Sequence, residues 1–296
     1  MYVKPNAPRS IGGVLDDGIK LYRDSFSRCW PLTLSMSVLT AVPMLLVAGK
    51  LAAMAAARAN PQAALGALGS PGVWLAYLVA LIVTLGFYCA LFLALDGYAT
   101  SRPISFGEAA GGGFRLMPRT LLLGVLFVLV VGGFGLAAGL VSALIGVGLA
   151  AALGGAATKI ISFVLMTVIF LGAFYVFGRL FLAIVALVVD DASASSAIGI
   201  SWKLTAGNWW RAGTIYLVSI AILLALYLIA DLVNGGLMLI GSSGTFAVVL
   251  QQIVRVLLGV MVASFQPAIL LSMYYDLKLR KGGADLADRV DALATP

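Results

Sequence analysis

Residues 212–233 read AGTIYLVSIAILLALYLIADLV, 22 positions whose one charge, Asp231, stands near the end. A helix rising about 1.5 Å per residue needs roughly 20 apolar residues to cross a hydrocarbon core of about 30 Å. The stretch therefore predicts a membrane-spanning helix. The segment before it, Ser195 to Arg211, reads SSAIGISWKLTAGNWWR. Ser195 or Ser196 can cap a short helix, Gly207 can end it, and Trp202, Trp209 and Trp210 can sit at the membrane interface.

Five further stretches have the same character: Pro31–Ala57, Val73–Leu95, Thr120–Ala150, Ile160–Val189 and Phe246–Tyr275. Six spans follow, in an all-α polytopic membrane protein read as one integral membrane domain over 1–296. The composition demands lipid as solvent. The AVILMFWYC set is 62% of 296 residues, 34 more are glycine, charged residues are 10%, and mean hydropathy is +1.07. Ordinary globular chains hold about 25% charged residues, and a soluble fold of this size cannot hide so much apolar side chain.

The charges are unevenly placed. Fourteen basic residues fall before span one, between spans two and three, between four and five, and after span six, against Lys50, Arg58 and Lys159 on the opposite side. This asymmetry predicts both termini in the cytoplasm. No cleavable leader is read in the first 30 residues, so span one is expected to act as an uncleaved anchor. The net charge of +7 then reads as a topology signal that also attracts anionic lipid headgroups, not nucleic acid. Trp30, Tyr274 and Tyr275 fall at the same expected boundary as Trp209 and Trp210, and with Trp202 are read as interfacial anchors.

The segments before spans one, three and five share a plan. Ser10–Trp30 reads SIGGVLDDGIKLYRDSFSRCW, with Ile11, Val14, Leu15, Ile19, Tyr22 and Phe26 at helical spacing and Asp16, Asp17, Lys20, Arg23 and Asp24 opposite. It predicts an amphipathic helix lying in the cytoplasmic interface. Ser105–Arg119, SFGEAAGGGFRLMPR, repeats the plan weakened by a run of three glycines. The chain thus reads as three units of interfacial helix plus hairpin, over 9–102, 103–193 and 194–281, with a polar tail at 282–296. Residues 58–72 read as a loop.

Three stretches carry a resemblance: SWKLTAGNWWR (201–211) after Asp190 and Asp191, YYDLKLRKGGADL (274–286), and GIKLYRDSF (18–26) followed by Trp30. Together they resemble the glycerophosphoryl diester phosphodiesterase membrane-domain family and its stand-alone bacterial relatives. The length and six-span layout fit as well. The resemblance implies an integral inner-membrane protein and not the phosphodiesterase reaction, whose soluble barrel uses histidines and metal-binding carboxylates. This chain has no histidine, so no catalytic residue carries over.

Charges in lipid cost about 2.5–3.5 kcal/mol on insertion scales, which makes them functional suspects. Arg179 stands 11 residues before Asp190, about 16 Å along an unbroken helix and so near the midplane. It is expected to point inward, toward Gln266 or the carbonyls freed before Pro267. Arg255 lies beside Gln251 and Gln252, and Asp231 and Asn234 close span five at the same end. Two readings stand: a polar path for a headgroup or ion, or an Arg255–Asp231 ion pair with Arg179 on backbone carbonyls. Asp231 alone is a poor proton relay, which disfavours proton-coupled transport. Gly135 and Gly139, with Ser142, Gly146 and Ala150, form a small-residue row for helix packing, or for self-association into a homo-oligomer. Cys29 and Cys89 read as small packing residues. No metal, cofactor or catalytic set is expected. The function expected first is non-enzymatic: structural, regulatory or lipid-associated. A transporter or flippase for a lipid or small amphiphilic anion is the alternative, and membrane shaping a further one.

Overall fold

A computed structural model of the chain describes residues 2–56, 70–153, 155–240 and 245–294. Every regular element among the described residues is a helix: α1 (Ile11–Ala56), α2 (Pro71–Ala99), α3 (Phe106–Leu153), α4 (Gly155–Leu180), α5 (Ala183–Val189), α6 (Ala194–Thr205), α7 (Trp209–Ile240), α8 (Thr245–Val262) and α9 (Phe265–Ala294). Five stretches are long and apolar enough to cross a membrane: Pro71–Ala99, Phe106–Gly146, Thr158–Val189, Trp209–Ile229 and Gln252–Gly282. They match the expected spans two to six. The stretch expected as span one is the second half of α1, and part of it, like most of the loop at 58–72, lies outside the described residues.

The expected interfacial helices before spans one and three are not separate elements. The segments at 11–28 and 105–116 run without interruption into the spans, as helices of 46 and 48 residues. At about 1.5 Å per residue each is roughly 70 Å long, more than twice the hydrocarbon core. Pro31 and Pro118 each remove one backbone donor, yet packing carries the helix through. Cys29 and Leu32 are buried on either side of Pro31, and Leu116 and Thr120 on either side of Pro118. The buried stripe of α1 is also rotated from the expected face. It comprises Val14, Asp17, Gly18, Leu21, Ser25 and Cys29, while Ile19 is exposed. This stripe meets protein and not lipid.

The chain divides into two compact units, one of residues 1–118 and 214–296, the other of residues 119–213. In the first, α1 packs on α2, α8 and α9, and α9 on α2. Leu21, Leu32, Phe92, Leu95, Ile269, Leu271 and Tyr274 form its core, and Cys29 and Cys89 are buried there as free thiols. Between lipid-solvated helices the gain comes from close packing, which favours small residues at contacts. Gly18 is one such contact: a Cβ there would stand 2.5 Å from Ile269 Cδ1 and 3.0 Å from its Cα. Gly113 is another, set against Ala90 and the Gly86 carbonyl. Gly112 and Gly113 of GEAAGGGFR are therefore a helix contact, whereas Gly107 and Gly111 have nothing within 4 Å. Their helix is started by a reciprocal cap: Ser105 N–H donates to Glu108 Oε2 (2.8 Å) and Glu108 N–H to Ser105 Oγ (3.3 Å).

In the second unit, Phe134 covers Gly172, where a Cβ would come within 2.7 Å of the ring, and Phe127 meets Phe177 edge to face at 5.7 Å. Gly135 and Gly139 of the small-residue row face open space among the described residues, whereas Gly146 lies against Ser162, 3.8 Å from a Cβ there to its Oγ. The outer faces of α3 and α4 expose Leu136, Leu144, Phe163 and Phe170, as lipid-facing helices do. Ser193, not Ser195 or Ser196, caps α6 by accepting from Ser196 N–H at 3.3 Å. Gly207 ends that helix as expected, with φ +75°.

Candidate functional site

Arg255 and Asp231, singled out as charges within apolar stretches, line one cavity of about 560 Å³ in the first unit. Four helices build it. Met36, Ser37, Thr40 and Ala41 come from α1, Tyr77 and Thr84 from α2, Tyr227 and Asp231 from α7, and Gln252, Arg255, Val256, Leu258 and Gly259 from α8, with Ala263 just beyond. The wall is tight where Gly259 faces Ser37, since a Cβ at 259 would stand 2.7 Å from Ser37 Oγ. Glycine there lets α8 approach α1 closely.

The expected ion pair is not made. Among the described residues no salt bridge joins Arg255 to Asp231, although both are exposed to the same space. The helices carrying them differ in direction and length, and sequence spacing could not fix the gap between two tips. Gln252 Oε1 and Thr84 Oγ1 are buried without a hydrogen-bond partner. The cavity thus presents a cation, an anion and unsatisfied polar atoms among apolar walls. The side chains of Gln251 and Asn234 lie outside the described residues.

Depth follows from helix rise. Thr84 stands 12 residues before Asp96 and Thr40 10 residues after Trp30, about 18 and 15 Å from those ends and hence near mid-membrane. Asp231 stands 22 residues after Trp209, about 33 Å along α7, and Arg255 lines the same cavity. The hydroxyls therefore occupy the middle of the span and the charges its far end.

One border of the cavity is a broken helix. The chain turns at 263–264 between α8 and α9, and Pro267, which has no N–H, follows in the first turn of α9. The interruption expected in span six is thus found a few residues before the proline. Tyr22 Oη donates to the Met261 carbonyl at 2.5 Å, satisfying one acceptor the break releases. Ser264 Oγ and both polar atoms of Gln266 are buried without hydrogen-bond partners.

Arg179 stands on a shorter helix than expected. That helix does not continue to Asp190 but ends at Leu180, although the apolar stretch runs on from Thr158 to Val189. The Arg179 guanidinium carbon stands 4.3 Å from the Trp202 ring centroid and 5.8 Å from that of Tyr175. Its carbonyl accepts from Ser201 Oγ at 2.8 Å. A guanidinium over indole is a favourable cation–π arrangement, made within the second unit, whereas Gln266 belongs to the first. Sequence reading found Trp202 only as an anchor. The break after Leu180 has no proline to announce it, and Gly178 stands two residues before it, inside the helix.

Of the other anchors, Trp30 and Trp210 are exposed, and Trp209 is half-buried, stacked on Trp210 with ring centroids 4.4 Å apart. Tyr274 and Tyr275 are core residues, 0% and 3% exposed. The Tyr275 hydroxyl donates to Asp96, so these rings face protein and not headgroups. An aromatic pair beside a charge run carries no sign of which side it faces.

The helices define a class: a multi-pass helical membrane protein, with a polar cavity walled by long apolar helices. Comparison with protein-family models, curated proteins and solved structures found no match.

Proposed function

We propose that this chain is a non-enzymatic, six-span protein of a bacterial inner membrane that holds the polar head of a membrane amphiphile in the Arg255–Asp231 cavity. The carrying observation is that these opposite charges line one cavity without pairing. Unpaired charges beside apolar walls are costly in a membrane, although less at the end of a span than at its centre. A ligand with an anionic group for Arg255 and an ammonium or hydroxyl for Asp231 recovers that cost. The apolar walls suit acyl chains, and about 560 Å³ is within the usual range for small-ligand pockets, about 300–1,000 Å³.

The remaining parts rest on sequence. The second half of α1 supplies the sixth span, and the basic loops place both termini in the cytoplasm and the charged end of the cavity toward the periplasmic leaflet. The ionisable groups of the cavity are Arg255, Asp231 and two tyrosines, a set with no nucleophile–base pair, which favours binding over chemistry. The resemblance to the phosphodiesterase membrane domain agrees with a lipid-associated role. Mass spectrometry of lipids co-purified with wild type and Arg255→Leu tests the reading. One headgroup class should be enriched over the membrane average and fall at least about tenfold in the variant. Identical lipid profiles would contradict it.

A second reading, translocation of the amphiphile, is favoured by the helix break at the cavity's edge, where Ala263 is part of the lining. Reconstituted protein should then accelerate exchange of a fluorescent lipid between leaflets, and Arg255→Leu should abolish that. Unchanged exchange would leave binding alone.

A further inference from the structure

A second cavity lies at the opposite end of the first unit and owes nothing to Arg255. Residues 2–9 fold back as a strap along α9, anchored by buried Tyr2 and Pro5. Arg9 N–H donates to Asp276 Oδ1 at 2.7 Å, Arg280 Nη2 donates to the Arg9 carbonyl at 2.6 Å, and Arg280 Nε meets Asp276 Oδ2 at 3.0 Å. Asp276 is 1% exposed, so its charge is spent inside this clasp.

Between strap and helix runs a groove of about 620 Å³. On α9 its wall is the row Tyr275, Lys278, Leu279 and Gly282, residues at helical three- and four-residue spacing, with Arg280 beside them. On the strap it is Lys4, Asn6, Ala7 and Pro8. The Lys4 ammonium stands 3.8 Å from the Tyr275 ring centroid, which places it over the groove and not out in solvent. Lys4 and Lys278 thus meet at a space whose lining, among the described residues, includes no carboxylate, and Arg280, held by Asp276, stands at its edge. Asn6 adds a neutral polar group, and Leu279, Ala7 and Pro8 give apolar flanks.

We propose that this groove binds a phosphate-bearing anion with the chemistry of an anionic phospholipid headgroup. The ammonium groups of Lys4 and Lys278 suit a phosphate, the apolar flanks suit the glycerol and first acyl carbons, and the groove sits beside Tyr274 and Tyr275, at the end of the sixth apolar stretch. The strap makes the site a product of tertiary structure, because neither the N-terminal segment nor α9 alone surrounds the space.

The test uses the full chain in neutral detergent, titrated with short-chain phosphatidylglycerol, phosphatidylcholine and inorganic phosphate, with bound ligand read by native mass spectrometry. Phosphatidylglycerol should bind more tightly than phosphatidylcholine. Lys4→Ala and Lys278→Ala should each weaken it roughly fivefold and together roughly 25-fold. Lys203→Ala, an exposed lysine in the other unit, should change nothing. Failure of inorganic phosphate to displace the lipid assigns the site to a headgroup, and displacement assigns it to a free phosphate ester. Equal affinity for the two lipids, or wild-type affinity in the double variant, would overturn the proposal. If the double variant fails to fold, Lys4→Ala alone carries the test from an exposed position. Because Arg255→Leu leaves this groove intact, loss at one cavity is distinguishable from loss at the other.

Discussion

Arg179 shows what a single charge does when it reaches the end of an apolar helix. Hydropathy identified it, but its partner came from a segment 23 residues on, positioned by a turn that no proline marks. If the Trp202 ring holds the guanidinium, a double-mutant cycle with Arg179→Leu and Trp202→Leu should give a coupling of about 0.5–2 kcal/mol in thermal unfolding. Additive effects would dismiss the contact. Glycines separate in the same way. Gly18→Ala should destabilise by about 1–3 kcal/mol, because a Cβ meets Ile269 at distances real side chains do not tolerate. Gly12→Ala, where nothing lies within 4 Å, should be neutral or stabilising by up to about 1 kcal/mol. Equal effects at both positions would show that α1 does not pack on Ile269. The sequence shows two glycines in one amphipathic segment. Only the partner helix distinguishes them.

At the scale of elements, the apolar stretches were legible because their lengths match a bilayer, and the cap at Gly207 because left-handed backbone selects glycine. Continuity was not legible. Pro31 and Pro118 were natural boundaries between interfacial helices and spans, yet α1 and α3 run through them, while the chain breaks at 181–182 without a proline. A proline removes one hydrogen bond, and burial on both sides outweighs that loss. The start of α3 carries its own test. Ser105 holds the Glu108 carboxyl below its usual value of 4.5 by backbone and side-chain hydrogen bonds. A depressed folded-state value means the cap's contribution is present above about pH 4.5 and is lost as pH falls through that lowered value. Ser105→Ala should cost about 1 kcal/mol at neutral pH and less in acid. Hydrogen exchange of the first turn of α3 reads this directly, and a pH-independent cost would contradict the reciprocal cap.

Over the whole molecule, the class was legible from composition alone, since no soluble fold accommodates it. The site was legible only in part. Arg255, Asp231 and the broken sixth stretch were visible as polar interruptions, whereas the shared cavity, the missing ion pair and the strap over α9 depend on contacts between distant segments. Topology is testable by cysteine labelling with Pro61→Cys and Thr295→Cys in a chain whose buried Cys29 and Cys89 are replaced by alanine. The first should react with an impermeant reagent from the periplasm and the second only after permeabilisation. External labelling at 295 would reverse the assignment.

The most direct test of the central claim is photocrosslinking in reconstituted vesicles with a phospholipid analogue bearing a diazirine on its headgroup, the labelled peptides being mapped by mass spectrometry. Labelling should concentrate at 36–41, 77–84, 227–231 and 252–263, and disappear with Arg255→Leu. Labelling spread over the lipid-facing surfaces around Leu136, Leu144 and Phe163, without enrichment at the cavity, would contradict the account.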